Sequence, residues 1–228
     1  MRRLLVPSFV LLLLVLLVMS CSKKSSQPKD KVDENGLTDA INDFVPDSLL
    51  DILDSLGMPI YGGGTPPDIG GTYWSSPFEL IASNRPSDFI GAIYADYYVR
   101  FSNQNNSNLT IVVDYVNGPE NGNGLGGFIV GQNNNFSVFS ELTVVVGVDT
   151  AYILNLISGT ITQAGIEDFY LALFMLDNLG NPSGYFINNS EGRVFYDSDG
   201  LADEVASLPK KETVLKSFPG RTVSTVTQ

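Results

Sequence analysis

The chain has 228 residues, no histidine, one cysteine and a formal net charge of −12. No imidazole base or imidazole metal ligand is available, and a single cysteine excludes an intramolecular disulfide. From Val32 to Pro209 the three arginines Arg85, Arg100 and Arg193 stand against 23 acids, a net of −20, which is repelled by nucleic acid and by anionic lipid surfaces.

Residues 1–20 read as an export signal. Arg2 and Arg3 precede an almost unbroken apolar run from Leu4 to Met19. Its length suits a signal and is short for a spanning helix. The run ends in Val18-Met19-Ser20-Cys21, which resembles the bacterial lipobox. The resemblance implies diacylglycerol on the Cys21 sulfur and cleavage just before it. An uncleaved anchor helix and a secreted chain with a leftover thiol are the alternatives. Acylation would cap a thiol that is otherwise a liability in an oxidising compartment. It would also exclude thiol nucleophiles and zinc–thiolate sites. Each buried CH₂ contributes about 0.8 kcal/mol, so several acyl chains anchor durably. The expected location is the bacterial envelope, at the outer membrane, with the leaflet open.

Residues 21–36 are polar, carry Lys23, Lys24, Lys29 and Lys31, and read as a flexible tether. Residues 37–57 form the helical segment. Thr38 caps a first turn over Asp39–Phe44, Pro46 interrupts, and a second piece runs to Leu56. Leu49, Leu50, Ile52, Leu53 and Leu56 share one face, and Gly57 stops it. A packing helix is the expectation.

Residues 58–209 read as an antiparallel β domain. Proline and glycine fill 58–71, after which apolar residues recur with period two. Eight strands follow: Thr72–Ala82, Tyr94–Asn103, Leu109–Asn117, Gly127–Gly131, Phe136–Val146, Ala151–Thr162, Ile166–Leu176 and Gly192–Asp197. Asparagine and glycine dominate the connections, as tight antiparallel turns require. Phe169–Leu176 is apolar on both faces and so is expected to be covered on both. Residues 210–228 lack periodicity and read as a loosely ordered tail, with one late strand near Thr213–Leu215. The fold class is therefore all-β: an eight-stranded up-and-down barrel or a β-sandwich, preceded by a short amphipathic helix.

Gly71-Thr72-Tyr73-Trp74, with Arg193 opening the last strand, resembles the lipocalin and calycin group. There a Gly-x-Trp motif opens the first strand and an arginine from the last packs over the tryptophan. Here Tyr73 holds the tryptophan place and Trp74 comes one residue later, which puts it on the opposite face. The resemblance gives Gly71, Tyr73, Trp74 and Arg193 structural roles. Arg193 has a plainer and favoured alternative, a strand-edge charge paired with Glu191 or an aspartate. The whole chain also resembles lipoproteins of Bacteroidetes-type bacteria in which a segment like Pro66-Pro67-Asp68-Ile69-x-Gly71-x-Tyr73 precedes a β domain.

Asp197, Asp199 and Asp203 form the densest acidic cluster and are the candidate ligands for a hard cation; an acidic turn is the favoured reading. Asp47-Ser48-Leu49, Asp54-Ser55-Leu56 and Asp149-Thr150-Ala151 resemble the O-glycosylation motif of Bacteroidetes-type exported proteins. Asn108-Leu109-Thr110 matches a eukaryotic sequon that a bacterial lipoprotein would not use. Glu79, Asp96, Asp114, Glu141, Glu167 and Asp168 are the acids from which a glycosidase pair would have to come. Trp74, Tyr97, Phe101 and Phe169 are the candidate ligand-contacting aromatics, with plain core as their alternative. No catalytic residue and no cofactor is expected. The first expectation is a non-enzymatic, membrane-anchored protein binding a small apolar or amphipathic ligand. A protein-interaction module of an envelope complex comes second, and a carboxylate-based glycosidase last.

Cys21→Ser should abolish incorporation of labelled palmitate in a bacterial host and leave the chain at its precursor mass. Unchanged labelling would remove the lipid-anchor reading.

Overall fold

The computed structural model describes residues 31–209 apart from Pro119 and Gly147. Cys21, the signal segment and the suggested strand near Thr213 lie outside the described residues. The described part is antiparallel β, with 52% strand and 9% helix.

Two short helices come first. In α1 (Asp39–Phe44) the Thr38 hydroxyl accepts from Ile41 N–H at 3.1 Å, the expected cap. Pro46 opens α2 (Asp47–Ser55) from the N-cap position, and Gly57 leaves it at φ +74°. Eleven strands follow: β1 (Gly71–Ser75), β2 (Phe78–Ser83), β3 (Ile93–Tyr94), β4 (Tyr97–Asn105), β5 (Thr110–Asn117), β6 (Glu120–Gln132), β7 (Asn135–Val146), β8 (Asp149–Ile161), β9 (Gly165–Asp177), β10 (Gly192–Asp197) and β11 (Leu201–Glu204).

The strands β4 to β10 pair in sequence order. Closure comes from the first and last segments. β1 pairs with β4 on one side and β11 on the other, and β11 also pairs with β9. The strands β11, β1, β4, β5, β6, β7, β8 and β9 thus form a ring of eight. Alongside, β2 pairs with both β10 and β3.

The extra strands are breaks within expected ones. Thr72–Ala82 is split at Pro77, which has no N–H for the ladder. The expected strand from Tyr94 divides into β3 and β4, and the last strand resumes as β11 beyond a turn at residues 198–200. One expected loop is strand instead: β6 begins at Glu120 rather than Gly127. Its glycine-rich half is tied down by Asp114 on β5. Asp114 accepts Gly124 N–H on Oδ1 at 2.6 Å and two N–H groups of Arg100 on Oδ2 at 2.6 and 2.8 Å.

Alternation sorts side chains into two cores. Inward residues Tyr73, Val99, Phe101, Ile111, Ile129, Phe136, Val138, Ile157, Phe169 and Leu171 pack inside the ring. Outward residues Val130, Phe139, Leu154, Leu156, Ala172, Phe174 and Val194 meet Ile41, Val45, Leu49 and Leu53 of the helical segment. That second core explains why β9 is apolar on both faces.

Leu53 is fully buried beneath the helical segment, whereas Asp54 is exposed. Leu53→Ala should cost about 2–5 kcal/mol, read as a lower urea midpoint, while Asp54→Ala stays within about 0.5 kcal/mol.

Candidate ligand site at the mouth of the ring

The two ends of the ring differ. The residues packed inside its lower half are large and aromatic: Phe101 and Phe136 meet edge-on at 6.1 Å, and Tyr73 lies 6.1 Å from Phe101. The opposite half holds a cavity of about 240 Å³. Apart from Glu120 at the start of β6, the strand residues on its wall are Tyr97, Tyr115 and Asn117, then Leu142, Val144, Ile153, Asn155, Leu173, Met175 and Arg193, on the inward face of their strands. Tyr185, Phe186 and Ile187 from the β9–β10 connection complete the lining, and exposed Glu120 lies beside them.

That connection is a strap held by side chains. Buried Asp149 accepts Ser183 N–H at 3.1 Å. Asn181 accepts Phe186 N–H at 2.9 Å and donates to the Phe186 carbonyl at 2.7 Å. Asn84 donates to the Ser190 carbonyl at 2.8 Å and accepts Gly192 N–H at 2.9 Å.

Two polar groups face the apolar wall deep inside. Asn155 is 1% exposed and its amide donates to the Tyr97 hydroxyl at 3.4 Å, while its Oδ1 has no partner. Burial pushes the Tyr97 hydroxyl well above the usual phenol range, so it stays protonated. Tyr97 is stacked between Phe78 and Tyr115, at 5.3 and 5.8 Å. Asn155 was not among the residues singled out from sequence. Its signal was a polar side chain on the same face as Ile153 and Ile157.

Arg193 is engaged elsewhere. Its guanidinium donates to both carboxyl oxygens of Asp88, at 2.7 and 2.8 Å. That pairing, with the Ser83 hydroxyl, holds Asp88 down at about 2. The strand-edge reading therefore stands, with Asp88 as the aspartate, while Glu191 pairs with Arg85 at 3.5 Å. The lipocalin-style packing of Arg193 over tryptophan does not form. Trp74 lies on the outer face, stacked on Tyr98 at 6.0 Å and donating to Asp96 at 3.1 Å. Tyr73 points inward and donates to the Ile69 carbonyl at 3.2 Å, and Gly71 opens β1 against its ring. Of the four candidate aromatics only Tyr97 lines the cavity; Phe101 and Phe169 belong to the packed interior.

The acidic groups do not converge. Among the described residues no three carboxylates come together where they could hold a metal ion. Asp199 caps its own turn by accepting Leu201 N–H at 3.1 Å, and Asp203 is exposed on β11. Asp197 is fully buried. None of Glu79, Asp96, Asp114, Glu141, Glu167 and Asp168 lines the cavity. Asp47-Ser48 and Asp54-Ser55 lie on α2, whereas Asp149 is buried in the sheet.

Most of the exposed large apolar side chains among the described residues belong to the connections at the cavity end. Phe89, Ile90, Ile93 and Tyr94 come from the β2–β3 region, Val145 and Val148 from the β7–β8 turn, and Leu179 and Tyr185 from the strap. No family model, no curated protein and no solved structure matches this chain.

Burial raises the Asp197 carboxyl to about 6, with Asp199 adding repulsion. The folded state then holds this proton more tightly than the unfolded chain, so stability falls as pH rises from about 4 to 6. Asp197→Asn should raise the thermal midpoint at pH 7.5, and the gain should close by pH 4. An equal gain at both values would show that the carboxyl charge is not what costs stability.

Proposed function

We propose that this is a lipid-anchored envelope protein whose eight-strand ring acts as a lipocalin-like barrel, holding a small apolar or amphipathic molecule. The observation that carries the reading is the cavity. It lies inside the ring and its walls are largely apolar. A few convergent polar groups sit in it, the usual composition of a ligand site. At about 240 Å³ it is smaller than the roughly 300–1,000 Å³ of drug-sized sites. The lipobox resemblance at Cys21 supports the anchor. Among the described residues no helix is long and apolar enough to cross a membrane.

The apolar rim favours a second reading, a docking module of an envelope complex. Isolated exposed apolar residues are ordinary, but a set gathered at one end marks an interaction surface. The carboxylate-based glycosidase has less support, because the wall of the cavity offers Glu120 alone among acids.

Native mass spectra of residues 22–228, purified from bacterial cytoplasm, separate these readings. The carrier reading expects a retained small molecule that is lost on denaturation, or one picked up from a lipid extract. A bare mass under both conditions would leave the docking module as the better account.

A further inference from the structure

Resting on the carrier reading, we propose that the ligand is uncharged and bears a hydroxyl group, received jointly by Asn155 and Tyr97 at the inner end of the cavity. An amide and a phenol that hydrogen-bond to each other leave at least one acceptor and one donor unused. With the Asn155 amide donating, its Oδ1 remains as acceptor and the Tyr97 O–H as donor. With the amide turned over, the Tyr97 oxygen remains as acceptor and the amide N–H as donor. Either way the free pair matches a hydroxyl, which gives one hydrogen bond and takes one.

The charge of the ligand follows from what surrounds that pair. Leu142, Ile153, Leu173 and Met175 supply apolar wall around it. The one cation on the wall, Arg193, already spends both arms of its fork on Asp88. An anionic head group would have to displace Asp88 or be buried without a counter-ion, which is strongly unfavourable. Glu120, the acid that a cationic head group would seek, is exposed at the outer edge. Size limits the ligand too. A dry cavity of about 150 Å³ takes benzene, so about 240 Å³ takes one ring or a short chain and not a whole diacyl lipid.

Phenol, toluene and benzoate share a six-membered ring and differ in the group that matters. Their dissociation constants are measured at pH 7 by NMR titration of residues 22–228, which carry both apolar cores, and of two variants. Asn155→Leu replaces the amide with an apolar side chain of similar reach; Tyr97→Phe removes the hydroxyl alone. In the unsubstituted protein benzoate should bind at least tenfold more weakly than phenol. In each variant the affinity for phenol relative to toluene should fall about tenfold, the effect of losing a buried hydrogen-bond partner. A phenol-to-toluene ratio unchanged within twofold in both variants overturns the hydroxyl assignment while leaving the carrier reading in place. Benzoate binding more tightly than phenol overturns the uncharged class. Binding of none of the three overturns the carrier reading, and this inference with it.

Discussion

The backbone pairing that joins the first strand segment to the last is the constraint on which the rest depends. Tyr73 and Trp74 lie opposite Glu204 and Asp203, and Ala202 lies opposite Ile166 on β9. Because of these pairs each strand of the ring has a partner on both sides, although residues 120–126 of β6 and 141–146 of β7 are paired on one side only. Closure also gives alternation its meaning. In an open sheet the two faces are interchangeable until something packs on one. In a ring one face is inside, and a shift of one residue would carry Asn155 out and Leu154 in.

From that follows an uneven division of the apolar residues. The interior is filled by aromatic rings toward one end and thins toward the other, where Leu142, Ile153 and Leu173 line space rather than fill it. The outer face is bare of helices except where residues 37–58 lie over β6 to β10. Charge follows the same logic. Arg100 and Arg193 each meet a buried or nearly buried aspartate, in geometries where a cation is held by a fork of hydrogen bonds. Asp149 and Asp197 are buried without a cation, and most of the other acids are spread over the surface.

Most of the strand positions were legible in the sequence because period-two alternation is strong wherever one face is buried. The helical segment was legible too, down to the Thr38 cap and the Gly57 stop. What escaped was decided by distant partners. β6 runs through Asn121–Gly126 because Asp114 and Arg100 on neighbouring strands hold it, and nothing local says so. β11 is four residues long and exists through its pairing with β1 and β9. The site was partly legible. Tyr97 stood out as an inward aromatic, but Asn155 looked like ordinary polarity among Leu and Ile. Only the ring shows that it points inward, and only the strap shows what covers it. Trp74 lies on the face opposite Tyr73, as its position in the motif implies, and for that reason it is no ligand contact.

The strap and rim occupy one end of the ring, while the described chain begins and leaves at the other. Lys31 donates to the Asn106 carbonyl at the β4–β5 connection, and Val205 N–H donates to the Thr72 carbonyl just past β11. Tension applied through either terminus is therefore taken up first by the hydrogen bonds around Gly36, Gly63 and Thr72. The loops around the cavity lie off that line of load, so pulling on the ends would strain the closed end of the ring before it deformed the mouth.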